Sequence, residues 1–339
     1  MKRLAIALPL LAIAGVARGG EAPPPRPADS FLHDLVHDVR ARIAAAIAAH
    51  PPKLVPPTPV ALRYKLVRLG SVDLGAPLVA LAGADLDGDG TGELYAVTSR
   101  EVVAIALRGK KLVELGRVAF AGEPALPMPR DVVGTATVDG RELVASVSSW
   151  ATSLRVSWQG TTLAAAPGAA GFVLCPGEVA QLAPGRNYFG DDKTGYYVVR
   201  CRGGLVEPDG RPDRARAQLS LTSKLAITVE RCAAPGVRCR AATRYEYGGV
   251  GFAFDIADVN RDGTPEVIYS GAGAPGDPDV LRVVTLGDDD KKQAKLKKAF
   301  TAGGVAGIAV ADLAGDGVGD VVAAVRLVGA TRVDLWRLE

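Results

Sequence analysis

From about Val60 onward, apolar and polar positions fall into short runs: ELYAVTS, EVVAIALRG, ELVASVSS, TSLRVSWQG, TGYYVVRC and DVVAAVRL. They are rich in Val, Ile, Tyr and Thr and are parted by Gly, Asp, Asn and Pro, the pattern of strands joined by turns. Upstream the period changes. In FLHDLVHDVRARIAAAIAAH, Leu32, Val36, Val39, Ile43 and Ile47 recur at spacings of three and four, which puts one apolar stripe on a helix over 30–49. Ser30 is a good N-cap for it. The tracts EAPPPRPADS and PPKLVPPTPV bracket the helix with stiff, extended chain. An isolated amphipathic helix must bury its stripe against the domain that follows or against another protein.

The strand region repeats. YKLVRLGSVDLGAP, from Tyr64, resembles KKLVELGRVAFAGEP, from Lys110, and Gly70 to Gly116 is a step of 46 residues. KKAFTAGG, from Lys297, looks like a further copy of the second half. A four-stranded unit of about 45 residues is the size of one β-propeller blade. The pattern predicts an all-β propeller of about six blades, with five or seven allowed by an irregular stretch from 170 to 247. The last unit offers three strands before the chain stops, and ALRYKLVRLGSVDL near the front matches the missing fourth. The N-terminal strand is therefore expected to complete the last blade and close the ring without a free edge.

The first residues, MKRLAIALPLLAIAGVARGGEA, combine Lys2 and Arg3 with a short apolar run and small residues toward Ala22. Residues 1–22 read as a secretory signal, 23–59 as a Pro-rich spacer carrying the helix, and 60–339 as the propeller. The run falls short of the roughly 20 apolar residues of a membrane span, and no cysteine lies near it for lipid attachment. A secreted or periplasmic protein without an integral membrane segment is expected. Removal of the signal takes three basic residues and one acidic, lowering the formal charge from +3 to +1, which supplies no drive toward nucleic acid.

The four cysteines, Cys175, Cys201, Cys232 and Cys239, lie in one central region. Export favours two disulfides, and the local pairings 175 with 201 and 232 with 239 are preferred because RCAAPGVRC reads as a hairpin with a Pro-Gly turn. The spacings lack the close pairs of a structural zinc site.

The chemistry concentrates in three acidic turns. ADLDGDGTGELYAV carries Asp85, Asp87, Asp89, Thr91 and Glu93; ADVNRDGTPEVIYSG carries Asp258, Asn260, Asp262, Thr264 and Glu266; ADLAGDGVGDVVAAV carries Asp312, Asp316 and Asp320. Counting the first acid as one, oxygen ligands fall at one, three, five and nine, with Gly at six. Such a loop converges its side chains, offers the carbonyl of position seven, and closes the cage at nine. Hard oxygen donors in a flexible loop suit calcium. An EF-hand would need a bidentate Glu at twelve between helices, but Ala96 and Tyr269 stand there and the flanks read as strands. The third loop has Ala314 at a ligand position and ranks below the other two. GTATVDGRELVASV keeps the strand pattern with a shortened turn that has lost its acids, and QLAPGRNYFGDDK does not match the spacing, so those units should be metal-free. GDDDKKQAKLKK reads as an exposed charged turn.

These loops resemble the FG-GAP or VCBS repeats, which build the propeller of integrin α-subunits and of many secreted bacterial proteins. The resemblance implies a calcium loop between the first two strands of a blade, often followed by Gly-Ala-Pro, here Gly273, Ala274 and Pro275. It implies Ca2+ as the ion and a protein or glycan ligand outside the cytoplasm.

All three histidines, His33, His37 and His50, precede the propeller, so the blades alone cannot build a Ser-His-Asp or Cys-His arrangement. HDLVH is a faint echo of HExxH but reads better as a solvated helix face. No Walker loop or GxSxG elbow is present. The chain is thus expected not to be an enzyme but a calcium-stabilised binding or adhesion module. Two alternatives are an envelope scaffold tethered through the helix and a propeller lyase or hydrolase using carboxylates and metal.

Overall fold

A computed structural model describes residues 39, 42, 58–126, 132–175, 178–180, 196–206, 212–220, 223–231, 240–273, 277–288, 294–300, 303–327 and 331–339. The chain divides into two compact units, Met1–His50 and Pro51–Glu339. In the first, residues 39 and 42 are helical; the signal, the spacer as far as residue 57 and the remainder of the 30–49 helix lie outside the described residues. No described helix is long and apolar enough to cross a membrane.

The second unit begins with strand β1 (Leu66–Asp73). Blade one is β2 (Leu78–Ala84), β3 (Glu93–Thr98), β4 (Glu101–Arg108) and β5 (Lys111–Ala119); blade two is β6 (Gly134–Asp139), β7 (Glu142–Val147), β8 (Thr152–Gln159) and β9 (Thr162–Ala170). A two-stranded hairpin follows, β10 (Phe172–Cys175) and β11 (Glu178–Ala180). Blade three is β12 (Tyr196–Val206), β13 (Pro212–Ser220), β14 (Lys224–Arg231) and β15 (Arg240–Gly248), and blade four is β16 (Val250–Ala257), β17 (Glu266–Gly271), β18 (Asp279–Thr285) and β19 (Leu296–Phe300). Blade five takes β20 (Gly303–Ala311), β21 (Asp320–Leu327) and β22 (Arg332–Leu338) and receives β1 on its outer edge.

The first strands β2, β6, β12, β16 and β20 touch in succession, and β20 returns to β2. This is a five-bladed propeller. The pairing of β1 with β22, Leu66 opposite Leu338 and Asp73 opposite Arg332, closes the ring as expected. The blade number is five, within the expected five to seven. Residues 171–248 are long enough for nearly two repeats, but β12 alone runs for 11 residues, and β10 with β11 makes a small hairpin that packs on β6, β7, β8 and β12 instead of building another blade.

Each blade is buried on both faces by its neighbours, which is why its middle strands read as nearly unbroken apolar runs. Every residue of β3 is buried, whereas the outer strand β5 is largely exposed. The core clusters accordingly lie between blades. Leu78, Leu81 and Leu94 pack with Val322, Ala324 and Leu335 across the first and fifth. Tyr95 and Val102 meet Leu143, Trp150 and Val156 across the first and second. Ala217 and Ile227 meet Phe254 and Ile256 across the third and fourth, and Ile268 and Val283 meet Ile308 and Val321 across the fourth and fifth. Near the axis the backbones come very close: a Cβ on Gly83 of β2 would lie 2.6 Å from the Val310 carbonyl oxygen of β20, so any side chain there would force the strands apart.

The repeat noticed in the sequence has a geometric meaning. VRLG and VELG are outer strands, and each carries a β-bulge at the residue before its glycine, Leu69 before Gly70 and Leu115 before Gly116.

Candidate metal centre

The three acidic turns occupy one structural position, the connection between the first and second strands of blades one, four and five. Blade two differs. Asp139 pairs directly with Glu142 around a tight turn with Gly140 at φ 63°, leaving no loop for an ion in blade two; the QLAPGRNYFGDDK stretch lies outside the described residues.

In loop one each carboxylate is wound by the backbone of the turn. Asp85 accepts from Gly88 N at 2.7 Å and from Gly90 N at 3.0 Å, Asp87 from Asp89 N at 3.0 Å, and Asp89 from Thr91 N at 2.7 Å. Gly88 and Gly90 take positive φ, which an L side chain rarely adopts. Asp85, Asp87 and Asp89 thereby converge, one oxygen of each lying within 4.8 Å of the others. Arg108 Nη2 lies 3.2 Å from Asp89 Oδ2, an exposed pair of small energetic weight.

Glu93, at position nine, is fully buried. Tyr95 OH donates to its Oε2 at 3.0 Å, and the Leu86 N–H donates to the carboxylate as well. Among the described residues its Oε1 is buried and has no hydrogen-bond partner. The charges acting on it are the carboxylates of Asp87 and Asp89, and burial together with Asp87 pushes it up to about 7. A buried carboxylate oxygen without a partner costs on the order of 1–3 kcal/mol or more, a cost that a cation held among the three converging acids would offset. The donor set of loop one fits Ca2+.

Loop two repeats the winding. Asp258 accepts from Asp262 N at 3.1 Å and Gly263 N at 2.9 Å, Asn260 from Asp262 N at 3.0 Å, and Asp262 from Thr264 N at 2.8 Å. Its position nine differs. Glu266 Oε2 accepts from Val259 N at 3.1 Å and Oε1 from Lys295 Nζ at 2.5 Å, so both oxygens are satisfied. Burial raises Glu266 while Lys295 lowers it, and burial raises Asp258 too. Loop two also holds the chain ahead of β1: Val60 N donates to the Asn260 carbonyl at 2.7 Å, and Lys295 Nζ lies 5.4 Å from the Tyr64 ring centroid.

Loop three has two wound acids. Asp312 accepts from Asp316 N and Gly317 N, and Asp316 from Val318 N. Asp320 Oδ2 accepts from Leu313 N at 3.1 Å, and Arg337 Nε stands 3.9 Å from Oδ1. Burial raises Asp320 and Arg337 lowers it. Ala314 supplies no oxygen at position three. Loops one and three touch, with Gly92 N donating to the Asp312 carbonyl at 2.6 Å.

Sequence reasoning missed the residues that set the charge at position nine: Tyr95, Lys295 and Arg337. Tyr95 stands two residues after Glu93 and was visible as a polar end on a buried strand. Lys295 and Arg337 come from outer parts of their blades and needed the pairing register. Cys175 ends β10 and is disulfide-bonded; its pairing, and the expected 232 to 239 bridge, lie outside the described residues, as do Ala274 and Pro275.

No protein-family model matches the chain, and no curated protein matches it. Among solved structures it is similar to the PQQ-bound aldose sugar dehydrogenase of Streptomyces coelicolor, with a TM-score of 0.41 at 13% identity over 82% of this chain and 100% of that one. It is also similar to the core factor of Saccharomyces cerevisiae, with a TM-score of 0.31 at 9% identity over 79% of this chain and 48% of that one. The expectation that the chain is not an enzyme is withdrawn: the lack of histidines in the blades removes only the triad chemistries and not catalysis as a class. At this identity and TM-score the likeness assigns no cofactor and no substrate.

Proposed function

We propose that the chain is an exported, calcium-stabilised propeller of the FG-GAP or VCBS kind, in which bound Ca2+ fixes the loops on one rim of the ring and that rim holds a protein or glycan ligand outside the cytoplasm. The ion would be held first by Asp85, Asp87, Asp89, the Thr91 carbonyl and Glu93 in loop one; Asp258, Asn260, Asp262, the Thr264 carbonyl and Glu266 in loop two, and Asp312, Asp316 and Asp320 in loop three, are the further candidate sets. Bound there, Ca2+ supplies charge neutralisation. The chain's own residues provide the cage, the tight backbone turn and the exclusion of water behind Glu93.

One observation supports this reading above the rest: among the described residues Glu93 Oε1 is buried without a hydrogen-bond partner, and the charges acting on it are Asp87 and Asp89, two of three carboxylates that lie within 4.8 Å of one another. A solvated acidic turn gives no reason to bury an unpaired carboxylate, since the same residue in water would cost nothing. Calorimetric titration of the purified propeller with Ca2+ tests it. Saturable binding that Glu93→Gln weakens at least tenfold is expected; a wild-type chain that takes up no Ca2+ at millimolar concentration would contradict it.

A further inference from the structure

Loops one and two carry the same ligand pattern, yet their ninth residues sit in opposite electrostatic surroundings. Glu93 faces the negative charges of Asp87 and Asp89 and, among the described residues, keeps one oxygen unpartnered. Glu266 is equally buried, but its Oε1 accepts from the Lys295 ammonium at 2.5 Å. Strand register shows where this difference comes from. In blade one Tyr95 pairs with Ala104 and Ala104 with Gly116; in blade four the equivalent Ile268 pairs with Val283 and Val283 with Leu296. The residue before Gly116 is Leu115 and the residue before Leu296 is Lys295. Lys295 stands just ahead of β19, and in blade one that place falls at the bulge, where Glu114 and Leu115 supply no cation.

We propose that Lys295 is a tethered cation that takes over charge compensation at loop two, so that loop two keeps its shape without a divalent ion and binds Ca2+ far more weakly than loop one. The proposal rests on the reading of these loops as calcium sites and adds which of them depends on the metal. An ammonium hydrogen-bonded to the ninth ligand both occupies one of its oxygens and repels an arriving dication, a repulsion that is screened less at a partly buried site than at the surface. Lys295 is itself held in place: its Nζ lies over the Tyr64 ring, and its backbone N–H donates to the Val283 carbonyl at 2.9 Å. Arg337 beside Asp320 in blade five is a looser version of the same device, at 3.9 Å.

The test is Ca2+ binding by equilibrium dialysis in a chain whose loop one is disabled by Asp87→Asn and Asp89→Asn. In that background loop two is expected to bind Ca2+ negligibly below the millimolar range, and adding Lys295→Met should tighten binding at least tenfold, with the gain lost again on Asp262→Asn. Lys295→Arg should leave binding unchanged. Sub-millimolar binding at loop two that Lys295→Met does not alter would overturn the proposal. Should Lys295→Met fail to fold, refolding decides: recovery in Ca2+ supports the tethered cation, and failure in Ca2+ where Lys295→Arg folds contradicts it. A wild-type chain without a loop-one ion would defeat the calcium reading of loop one and still leave this comparison at loop two intact.

Discussion

The Trp158 indole N–H of blade two donates to the Tyr95 hydroxyl of blade one at 2.9 Å, and that hydroxyl in turn donates to Glu93 at 3.0 Å. The cage of loop one is thus joined by two hydrogen bonds to the seam between two blades. Tyr95→Phe removes an acceptor from Trp158 and a donor from a buried carboxylate. It is expected to lower stability by about 1–3 kcal/mol, measured by chemical denaturation, with the larger loss in calcium-free buffer.

The same chain of bonds makes Trp158 a reporter of the loop. Ion binding at Glu93 Oε1 draws charge from the carboxylate that Tyr95 holds. Tryptophan emission should shift on addition of Ca2+ to the wild type, and Trp158→Phe should abolish most of the change. An unchanged signal in the variant would assign the response to Trp150 or Trp336 instead.

The acidity of Glu93 gives a pH signature. An acid raised on folding stabilises the folded state below its unfolded pKa, and that contribution is lost as pH climbs through the folded one. With Glu93 pushed from 4.5 to about 7 by burial and Asp87, calcium-free protein should lose stability between about pH 4.5 and 7, by up to roughly 3 kcal/mol. Asp258, Glu266 and Asp320 are raised in the same direction, so the difference between wild type and Glu93→Gln isolates the single residue. Denaturation curves across that window should be flatter for Glu93→Gln, and parallel curves would contradict the assignment.

At the axis, Gly83→Ala tests the closeness of the first strands. The added Cβ would fall 2.6 Å from the Val310 carbonyl oxygen and 2.7 Å from Ala311 Cβ, both parts of a packed strand. A loss of about 1–3 kcal/mol is expected, seen as a lower denaturation midpoint with the fold retained.

Much of this was legible in the residues. The bulged VRLG and VELG strands marked the repeat, and the position of β1 beside β22 followed from a last unit with only three strands of its own. The acidic spacing placed three loops at one position of the blade because the residue pattern directly encodes a tight turn. The blade number was not legible, since residues 171–248 carry strand signals whose division between a blade and the β10–β11 hairpin is decided by packing. Nor was the cation at Glu266. Lys295 lies 29 residues away in sequence, inside a charged stretch that reads as a solvated turn, and only strand pairing brings it to the carboxylate. The histidine count spoke to one class of chemistry and was too narrow a ground on which to exclude enzymes.

Metal dependence of loop one is the point on which the account turns, and thermal unfolding in chelator against about 1 mM Ca2+ addresses it most directly. With an affinity near 0.1 mM, one site contributes about 1.4 kcal/mol, which for a propeller of this length corresponds to a midpoint roughly 2–4 °C higher in Ca2+. Asp87→Asn with Asp89→Asn should remove that rise. Identical midpoints with and without Ca2+ in the wild type would contradict it.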